Sequence, residues 1–366
     1  MRKIPILPPE EIFATKNLAG QICLDPFMGI SIDLNGDIRL CSCSHWQPTI
    51  VGNILDNTLE EILHNNRSHQ IRNSIRNGTY KYCNENRCGI INNQRLTPLE
   101  FIDKNDGFGT LPSTYDRVTR SDVVGMPRYF YIAGDRICNL SCPSCRTKVI
   151  TEDDEKKTIH GRVIGLLNQQ VFNGSDPRPI TVYVSSTGEL FASPLILNFL
   201  ETFPLERYPR TEFNFQTNGL LFKKRWHRLQ HLENNLFNVA VTADSCRPWV
   251  YEKLRRGGTF DDLVENLRFI SKLKSKLNFK FSIRMVVQQD NHDEISDFFH
   301  WAQQFDVTDV EFLRIAHWWN VFPTEDDFHK VDVLNPKHAN YQVTIESLRK
   351  LKEAYGDQVV LYHFNL

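Results

Sequence analysis

The hydrophobic positions from residue 128 onward fall into short apolar runs separated by helical patterns. These runs predict six strands, at 128–133, 180–185, 211–216, 237–243, 279–287 and 308–313. The clearest helical pattern between them is 260–275, where an apolar stripe follows Thr259 as N-cap. Six β/α repeats predict an α/β fold with a parallel sheet or a partial (β/α)6 TIM-like barrel. In such folds the chemistry lies at the carboxyl ends of the strands.

The first hundred residues follow a different pattern. Alternating Ile30, Ile32 and Leu34, a turn at Asn35-Gly36, and the resumption at 38–40 predict a β-hairpin. The stretch 58–78 predicts one helix that begins with a Thr58–Glu61 capping box. We therefore expect a small α+β domain at 1–102, a Gly/Pro-containing linker at 103–127, a barrel at 128–320, and a C-terminal helical extension with a terminal strand at 321–366.

Composition narrows the class of protein. The 366 residues carry 43 basic and 44 acidic side chains, a net charge of −1, so no basic field predicts nucleic-acid binding. No apolar run is long enough to span a bilayer, and the first residues make a poor signal peptide. A cytoplasmic protein is the expectation. In a reducing compartment its nine cysteines indicate metal binding or catalysis more than disulfides.

Three of these cysteines, Cys138, Cys142 and Cys145, follow the first barrel strand in a CxxxCxxC arrangement. Three thiolates on one tight loop can hold three irons of a 4Fe–4S cube and leave the fourth iron without a protein ligand. A zinc site is the alternative. Structural zinc wants four closed ligands, and no histidine stands at finger spacing beside this loop.

At these residues the chain resembles the radical S-adenosylmethionine (SAM) superfamily, although Ser144 stands where that family commonly has an aromatic residue. The resemblance implies that SAM binds the open iron and is cleaved reductively to methionine and a 5′-deoxyadenosyl radical. The segments "SSTGEL", "TNG" and "TADS" follow successive strands and look like the family's SAM-binding segments. The SAM-binding residues so implied are Ser186, Thr187, Gly188, Glu189, Asn218, Ser245 and Arg284.

The five early cysteines resemble the SPASM/twitch auxiliary-cluster domain of radical SAM enzymes. Cys23, a gap, Gly36 and Cys41 match its opening pattern, and Cys83 and Cys88 close it. We expect these four thiols to hold one auxiliary 4Fe–4S cluster, with Cys43 able to replace Cys41. Four cysteines would close a zinc site equally well, so metal content must decide between the two.

The resemblance implies a radical SAM enzyme, an oxidoreductase or epimerase that abstracts a hydrogen atom from its substrate. A ribosomally made peptide is the leading substrate class, and a carbohydrate or aminoglycoside is the alternative. A non-catalytic iron–sulfur or zinc protein is the alternative of another class. Partners would be the substrate and an electron donor such as flavodoxin or ferredoxin.

One cysteine lies outside both groups. Cys246 follows the fourth barrel strand and is a candidate hydrogen-atom donor for epimerisation, although a lone cysteine is more often a small packing residue. Residues near strand ends that could line a substrate pocket are Tyr251, His317, Trp318 and Asn320.

Overall fold

A computed structural model describes residues 17–44, 46–85, 87–92, 94–107, 111–150, 154–174, 178–185, 188–317 and 321–362. The chain forms two compact units whose residue ranges interleave. The first unit comprises Met1–Gly134, Asp153–Val184 and Thr202–Glu212, and the second comprises Asp135–Glu152, Ser185–Glu201 and Phe213–Leu366. The cysteine loop after residue 134 therefore belongs to a different unit from the early cysteines.

Short strands and helices build the first unit. In chain order they are β1 (Gln21–Ile22), α1 (Asp25–Met28), β2 (Gly29–Ile32), β3 (Asp37–Arg39), β4 (Gly52–Asn53), α2 (Leu59–His64), α3 (Asn66–Arg76), α4 (Gly89–Asn92), β5 (Thr97–Pro98), α5 (Thr114–Thr119), β6 (Tyr129–Ala133), α6 (Asp154–Gln170) and β7 (Ile180–Ser185). The sheet order is β7-β6-β2-β3-β4, and β1 pairs with β5 separately.

The predicted hairpin forms between β2 and β3, which pair antiparallel with Ile32 opposite Ile38. Gly36 has φ +85°, a left-handed conformation that glycine adopts without strain. Strand β2 also pairs in parallel with β6, from Gly29 opposite Tyr129 to Ile32 opposite Ile132. The hairpin is thus part of the same sheet as the first strand of the predicted barrel.

The single helix predicted over 58–78 is wrong. Asn65 has φ −73° and ψ 163°, and this extended residue separates α2 from α3. Its side chain accepts a hydrogen bond from the Ser68 N–H at 2.9 Å, so it is the N-cap of the second helix. Asparagine competes for backbone hydrogen bonds in this way, which favours a new helix start over continuation. The capping box of Thr58 and Glu61 is present as predicted.

The second unit alternates strands and helices. In chain order they are α7 (Pro194–Glu201), β8 (Thr211–Thr217), α8 (Phe222–Arg225), β9 (Leu236–Thr242), α9 (Pro248–Leu254), α10 (Phe260–Lys274), β10 (Lys280–Val287), α11 (Ile295–Gln303), β11 (Asp309–Arg314), α12 (Glu325–His329), α13 (Tyr341–Tyr355) and β12 (Val359–Tyr362). The order β12-β11-β10-β9-β8 is parallel throughout.

The α/β fold class is confirmed, since all six predicted strands form as β6 to β11 and each bound lies within one residue of its prediction. Thr259 caps α10 by accepting from the Asp262 N–H, also as predicted. The segment expected to be a linker contains helix α5, in which Arg117 is 1% exposed. The domain boundaries themselves stay a prediction. Among the described residues, no helix is long and apolar enough to cross a membrane.

Candidate functional site

The CxxxCxxC loop follows β6 and turns back on itself. The backbone N–H groups of Cys145 and Arg146 both donate to the Cys142 carbonyl, at 3.0 and 2.9 Å. Burial raises the pKa of the Cys138 thiol to about 11 and also raises that of Cys142. No three His, Cys, Asp or Glu side chains in the described ranges lie close enough to share a single metal ion.

Each of the three thiols faces at least one N–H donor. Leu140 donates its backbone N–H to Cys138 Sγ at 3.4 Å. The other sulfurs are reached by arginines, Cys142 by Arg255 Nη1 at 3.7 Å and Cys145 by Arg146 Nη2 at 3.6 Å. Donors aimed at sulfur stabilise a thiolate, whether it is free or bound to iron. The donor set therefore fits a negatively charged iron–sulfur group on this loop.

Arg255 also joins the cysteine loop to Asp244, two residues beyond β9. Its Nε lies 2.9 Å from Asp244 Oδ2, and the two side chains are 13% and 2% exposed. The Asp244 backbone is held at φ +68°, and its carboxylate accepts from the Val286 N–H at 2.8 Å. Such a buried ion pair positions the guanidinium beside Cys142 by means of a fixed carboxylate.

Removing this arginine should destabilise the fold. Arg255→Met leaves Asp244 buried without its partner, which costs about 3–5 kcal/mol in comparable buried pairs. The free energy of unfolding, measured in urea, is expected to fall by that amount. Arg256→Met is the matched control because Arg256 is exposed and bonds Ser141 Oγ at 3.1 Å, so its loss should cost less than about 1.5 kcal/mol. Equal losses for the two variants would contradict a special role of the buried pair.

Gly188 and Glu189 lie against the backbone of residues 135–137, just before the cysteine loop. A Cβ on Gly188 would come within 2.4 Å of the Asp135 and Ile137 carbonyl oxygens, so no larger residue fits without displacing backbone. The Glu189 N–H donates to the Ile137 carbonyl at 2.8 Å. This close approach explains physically why a glycine precedes the glutamate.

Glu189 is 2% exposed, and its carboxylate is held by the last residue of β8 and by the residue after it. Thr217 Oγ1 donates to Oε1 at 2.5 Å, and the Asn218 N–H donates to Oε2 at 2.7 Å. Burial raises the pKa of Glu189, and these hydrogen bonds oppose the rise. Asn218 Nδ2 lies 3.8 Å from Cys138 Sγ, so one residue connects the carboxylate to the first cysteine.

The other implied SAM contacts are engaged with protein partners or lie outside the described residues. Arg284 Nε pairs with Glu311 Oε2 at 2.5 Å on the neighbouring strand. Ser245 is fully buried and donates to Glu294. Ser186 and Thr187 lie outside the described residues. The SAM-binding roles of all four stay predictions.

Cys246 stands four residues beyond β9 with its thiol directed at a buried carboxylate. Its Sγ lies 3.2 Å from Glu294 Oε2, and its backbone N–H donates to the same oxygen at 3.0 Å. Burial raises the pKa of Cys246 to about 12, and the hydrogen bond to Glu294 adds to the rise. The residue is therefore a protonated thiol at neutral pH, which is the form that carries a hydrogen atom.

Two of the four residues expected to line a substrate pocket are described. Tyr251 is fully buried against the Phe260 ring, and its hydroxyl has no hydrogen-bond partner among the described residues. The His317 ring stacks on Phe328 at 4.6 Å, and its Nε2 lies 2.8 Å from the Phe322 carbonyl. Trp318 and Asn320 lie outside the described residues. The pocket assignment stays a prediction.

The early cysteines come together in the first unit. Four of them line one small cavity, Cys23, Cys41, Cys83 and Cys88. Burial raises the pKa of Cys83 to about 12, with a further rise from Cys88 and Asp25. Burial also raises the pKa of Cys23 and Cys41, and each of these thiols is affected by Asp25 and by other cysteines of the cavity. Four thiols that line one cavity are a donor set that fits one cluster.

The structure distinguishes the two neighbouring cysteines of the hairpin. Cys41 is 8% exposed and lines the cavity, whereas Cys43 is more exposed and is not part of the lining. The Cys43 carbonyl accepts from the Trp46 and Gln47 N–H groups, both at 3.1 Å, and so forms the turn after Cys41. This placement favours Cys41 as the fourth thiol of the group.

Sequence reasoning missed three residues of these sites, Arg255, Glu294 and Gln47. Arg255 belongs to an "RRGG" stretch that reads as an ordinary helix boundary. Its partner Cys142 is 113 positions away, and Glu294 lies 48 positions from Cys246. Nothing local marks these pairs, because a side chain's partner across a fold is set by tertiary packing. Gln47 lines the cavity of the four cysteines, and its neighbours in sequence do not mark it.

Comparison with known families identifies a domain within the first unit. The SPASM profile, described as an iron–sulfur cluster-binding domain, matches residues 23–89, the segment that contains all four cavity cysteines. GTP 3′,8-cyclase from Limosilactobacillus fermentum is 27% identical over 150 residues, 36% of this chain and 44% of that protein. The same enzyme from Alkaliphilus metalliredigens is 26% identical over 193 residues, 51% of this chain and 56% of that protein. The chain carries an iron–sulfur cluster-binding SPASM domain at residues 23–89, in agreement with the expected resemblance to radical SAM enzymes that have an auxiliary-cluster domain. The iron–sulfur cofactor that this domain binds agrees with the cavity lined by four cysteines.

The extent of these likenesses is limited. The chain spans about half of the length of the curated relatives it matches, 44% of one and 56% of the other. Among solved structures, Streptococcus suis SuiB bound to S-adenosylmethionine overlaps 71% of this chain and 55% of that chain, with 13% identity and a TM-score of 0.42. AnSMEcpe with bound AdoMet overlaps 62% of this chain and 61% of that chain, with 17% identity and a TM-score of 0.43. Scores below 0.5 carry no inference about substrate.

Proposed function

We propose that this protein is a radical SAM enzyme, which cleaves SAM reductively and uses the resulting 5′-deoxyadenosyl radical to abstract a hydrogen atom from a ribosomally made peptide. The observation that carries the proposal is the CxxxCxxC loop, in which every thiol faces an N–H donor while a buried Glu189 is tied to Cys138 through Asn218. Cys138, Cys142 and Cys145 hold the SAM-binding cluster in this proposal. Cys23, Cys41, Cys83 and Cys88 hold the auxiliary cluster.

The protein's own contribution is to position these groups. The cofactor supplies the difficult C–H chemistry, and the protein binds, orients and shields it. Gly188 brings the Glu189 segment against the loop backbone, and Thr217 and Asn218 fix the carboxylate. A carboxylate held this way can accept a hydrogen bond from the SAM ammonium without moving.

Product analysis tests the proposed activity. Reconstituted, dithionite-reduced protein incubated with SAM should form methionine and 5′-deoxyadenosine in equal amounts, measured by liquid chromatography and mass spectrometry. A non-catalytic iron–sulfur or zinc protein would form neither. Adding a candidate substrate deuterated at the reacting carbon should place deuterium in the 5′-deoxyadenosine.

The substrate class rests on the SPASM domain, because radical SAM enzymes with such auxiliary domains mostly modify ribosomally made peptides. The same deuterium transfer assay compares peptide substrates with the alternative, carbohydrates or aminoglycosides. Transfer from sugar and none from peptide would replace the peptide proposal while leaving SAM cleavage intact.

Glu189 gives a quantitative test of the SAM site. Glu189→Ala should lower SAM affinity one to two decades, because a charged hydrogen bond in a partly buried site is worth about 1.5–3 kcal/mol. Iron content should not change, because Glu189 contacts no cysteine thiol directly in the proposal. Isothermal titration with SAM and iron analysis measure the two quantities.

Glu189→Gln is the matched control for packing. The introduced amide keeps an oxygen to accept from Thr217 or Asn218, so folding stability should stay closer to wild type than in the alanine variant. Its SAM affinity should still fall, because the negative charge is gone. Wild-type SAM affinity in both variants would remove Glu189 from the SAM site.

A further inference from the structure

The Gln47 side chain lies in the first unit almost without exposure to solvent. It is 1% exposed, and neither its Nε2 nor its Oε1 has a hydrogen-bond partner among the described residues. Burying an amide without a partner is unfavourable, and native structures rarely leave both of its polar atoms unpaired. A group that would satisfy this amide is therefore expected beside it.

Gln47 lines the same cavity as the four cysteines Cys23, Cys41, Cys83 and Cys88. The other lining residues are mostly apolar, among them Trp46, Ile90 and Leu96. The one carboxylate of the lining, Asp25, is already bonded to the Ser42 N–H and hydroxyl at 3.1 and 2.9 Å. The cavity thus offers the occupant a free amide at a site that water hardly reaches.

The chemistry of a bound cluster determines whether it contacts the Nε2 or the Oε1 atom of Gln47. The sulfurs of an iron–sulfur cluster and of its cysteine ligands carry negative charge and accept hydrogen bonds, but they donate none. Only the side-chain N–H groups of Gln47, and not its carbonyl oxygen, can therefore form hydrogen bonds with these sulfurs. The backbone anchors the side chain, because the Gln47 N–H donates to the Cys43 carbonyl at 3.1 Å in the turn that follows Cys41.

We propose that the Gln47 side chain donates an N–H hydrogen bond to a sulfur of the auxiliary cluster and raises the reduction potential of that cluster. The proposal rests on the proposed function, in which these four cysteines hold a 4Fe–4S cluster. Reduction adds one negative charge to the cluster, and a donor aimed at sulfur stabilises the more negative state. Gln47 is a positioning and tuning residue in this account, and it does not ligate iron.

The potential of the auxiliary cluster can be measured alone. The full-length Cys138→Ala, Cys142→Ala, Cys145→Ala protein lacks the SAM-binding cluster, so a potentiometric titration followed by electron paramagnetic resonance reports only the auxiliary cluster. Adding Gln47→Leu to this background removes the donor and keeps similar side-chain bulk. At a fixed potential the ratio of reduced to oxidised cluster should fall about tenfold, which is 59 mV for a one-electron couple.

A matched control separates the loss of a nearby donor from the loss of any buried amide. Gln288 in the second unit is 5% exposed, and its Nε2 also lacks a partner among the described residues. Gln288→Leu in the same background should leave the auxiliary potential unchanged. Gln47→Met serves as a second variant, should the leucine variant fail to assemble its cluster.

Each outcome bears on a distinct claim. An intact cluster with unchanged potential in the Gln47 variants would overturn the tuning role and leave the proposed function untouched. Failure of both Gln47 variants to hold iron, while Gln288→Leu holds it, would show a role in assembly instead and would also overturn the proposal. Zinc, or no metal, in the background protein would refute the auxiliary cluster itself.

Discussion

Replacing Cys138, Cys142 and Cys145 together with alanine is expected to abolish SAM cleavage and to halve the iron content. Two 4Fe–4S clusters amount to about eight irons per chain, and this variant should retain about four. The physical reason is that the two thiol groups lie in different compact units and share no residue. Iron and sulfide analysis, together with the 5′-deoxyadenosine assay, measures both effects.

Cys246→Ala is the control for thiol removal as such. Cys246 bonds Glu294 and belongs to neither cysteine group, so this variant should keep about eight irons and should still cleave SAM. The triple variant would contradict the two-site account if it retained SAM cleavage. Zinc in place of its remaining iron would contradict the auxiliary cluster and favour the zinc alternative for the early cysteines.

The second large effect concerns the stereochemical outcome and depends on Cys246. In an epimerisation the substrate carbon radical takes a hydrogen atom from a thiol S–H, which leaves a sulfur radical. That radical is reset by one electron from a flavodoxin- or ferredoxin-type donor and one proton from water. Burial and Glu294 keep the Cys246 thiol protonated, with a pKa of about 12. Cys246→Ala should therefore form 5′-deoxyadenosine normally and yield no inverted product.

Solvent isotope and a second variant sharpen this prediction. Thiol protons exchange with water, so wild-type enzyme in deuterated water should place one deuteron on the inverted carbon. Cys246→Ser keeps a hydrogen-bonding group near Glu294 but has no weak S–H bond, and it should lose inversion as the alanine variant does. Normal turnover of both variants, or an oxidised product without solvent deuterium, would leave Cys246 as a packing residue. The enzyme would then be an oxidoreductase in place of an epimerase.

Local patterns were enough to predict most of the elements and their order. Each barrel strand has an apolar run of its own, and the caps at Thr58 and Thr259 use hydrogen bonds that span three residues. Such signals are contained in a short window of sequence. Helix α5 was not predicted within the segment 103–127. The break at Asn65 was also missed, since a polar residue within a helical pattern can either continue the helix or cap a new one.

The candidate sites were predictable only in part, for a related reason. Motifs with fixed spacing marked the cysteine loop and the Gly188–Glu189 segment, because their residues adjoin along the chain. The Arg255–Asp244 pair and the Cys246–Glu294 contact depend on which strands and helices meet. The burial of Gln47 is likewise a property of the packed cavity and not of its neighbours in sequence.

The parallel pairing of β2 with β6 has a consequence for anyone who wishes to trim this protein. A cut in the segment 103–127 separates the predicted barrel from the first hundred residues. The cut also removes β2 (Gly29–Ile32), the strand that pairs with β6, and leaves unpaired N–H and C=O groups along that edge of β6. Bare strand edges of this kind recruit other chains, so a shortened protein is expected to precipitate on expression. The segment before residue 103 therefore covers an edge of β6 that would otherwise be exposed.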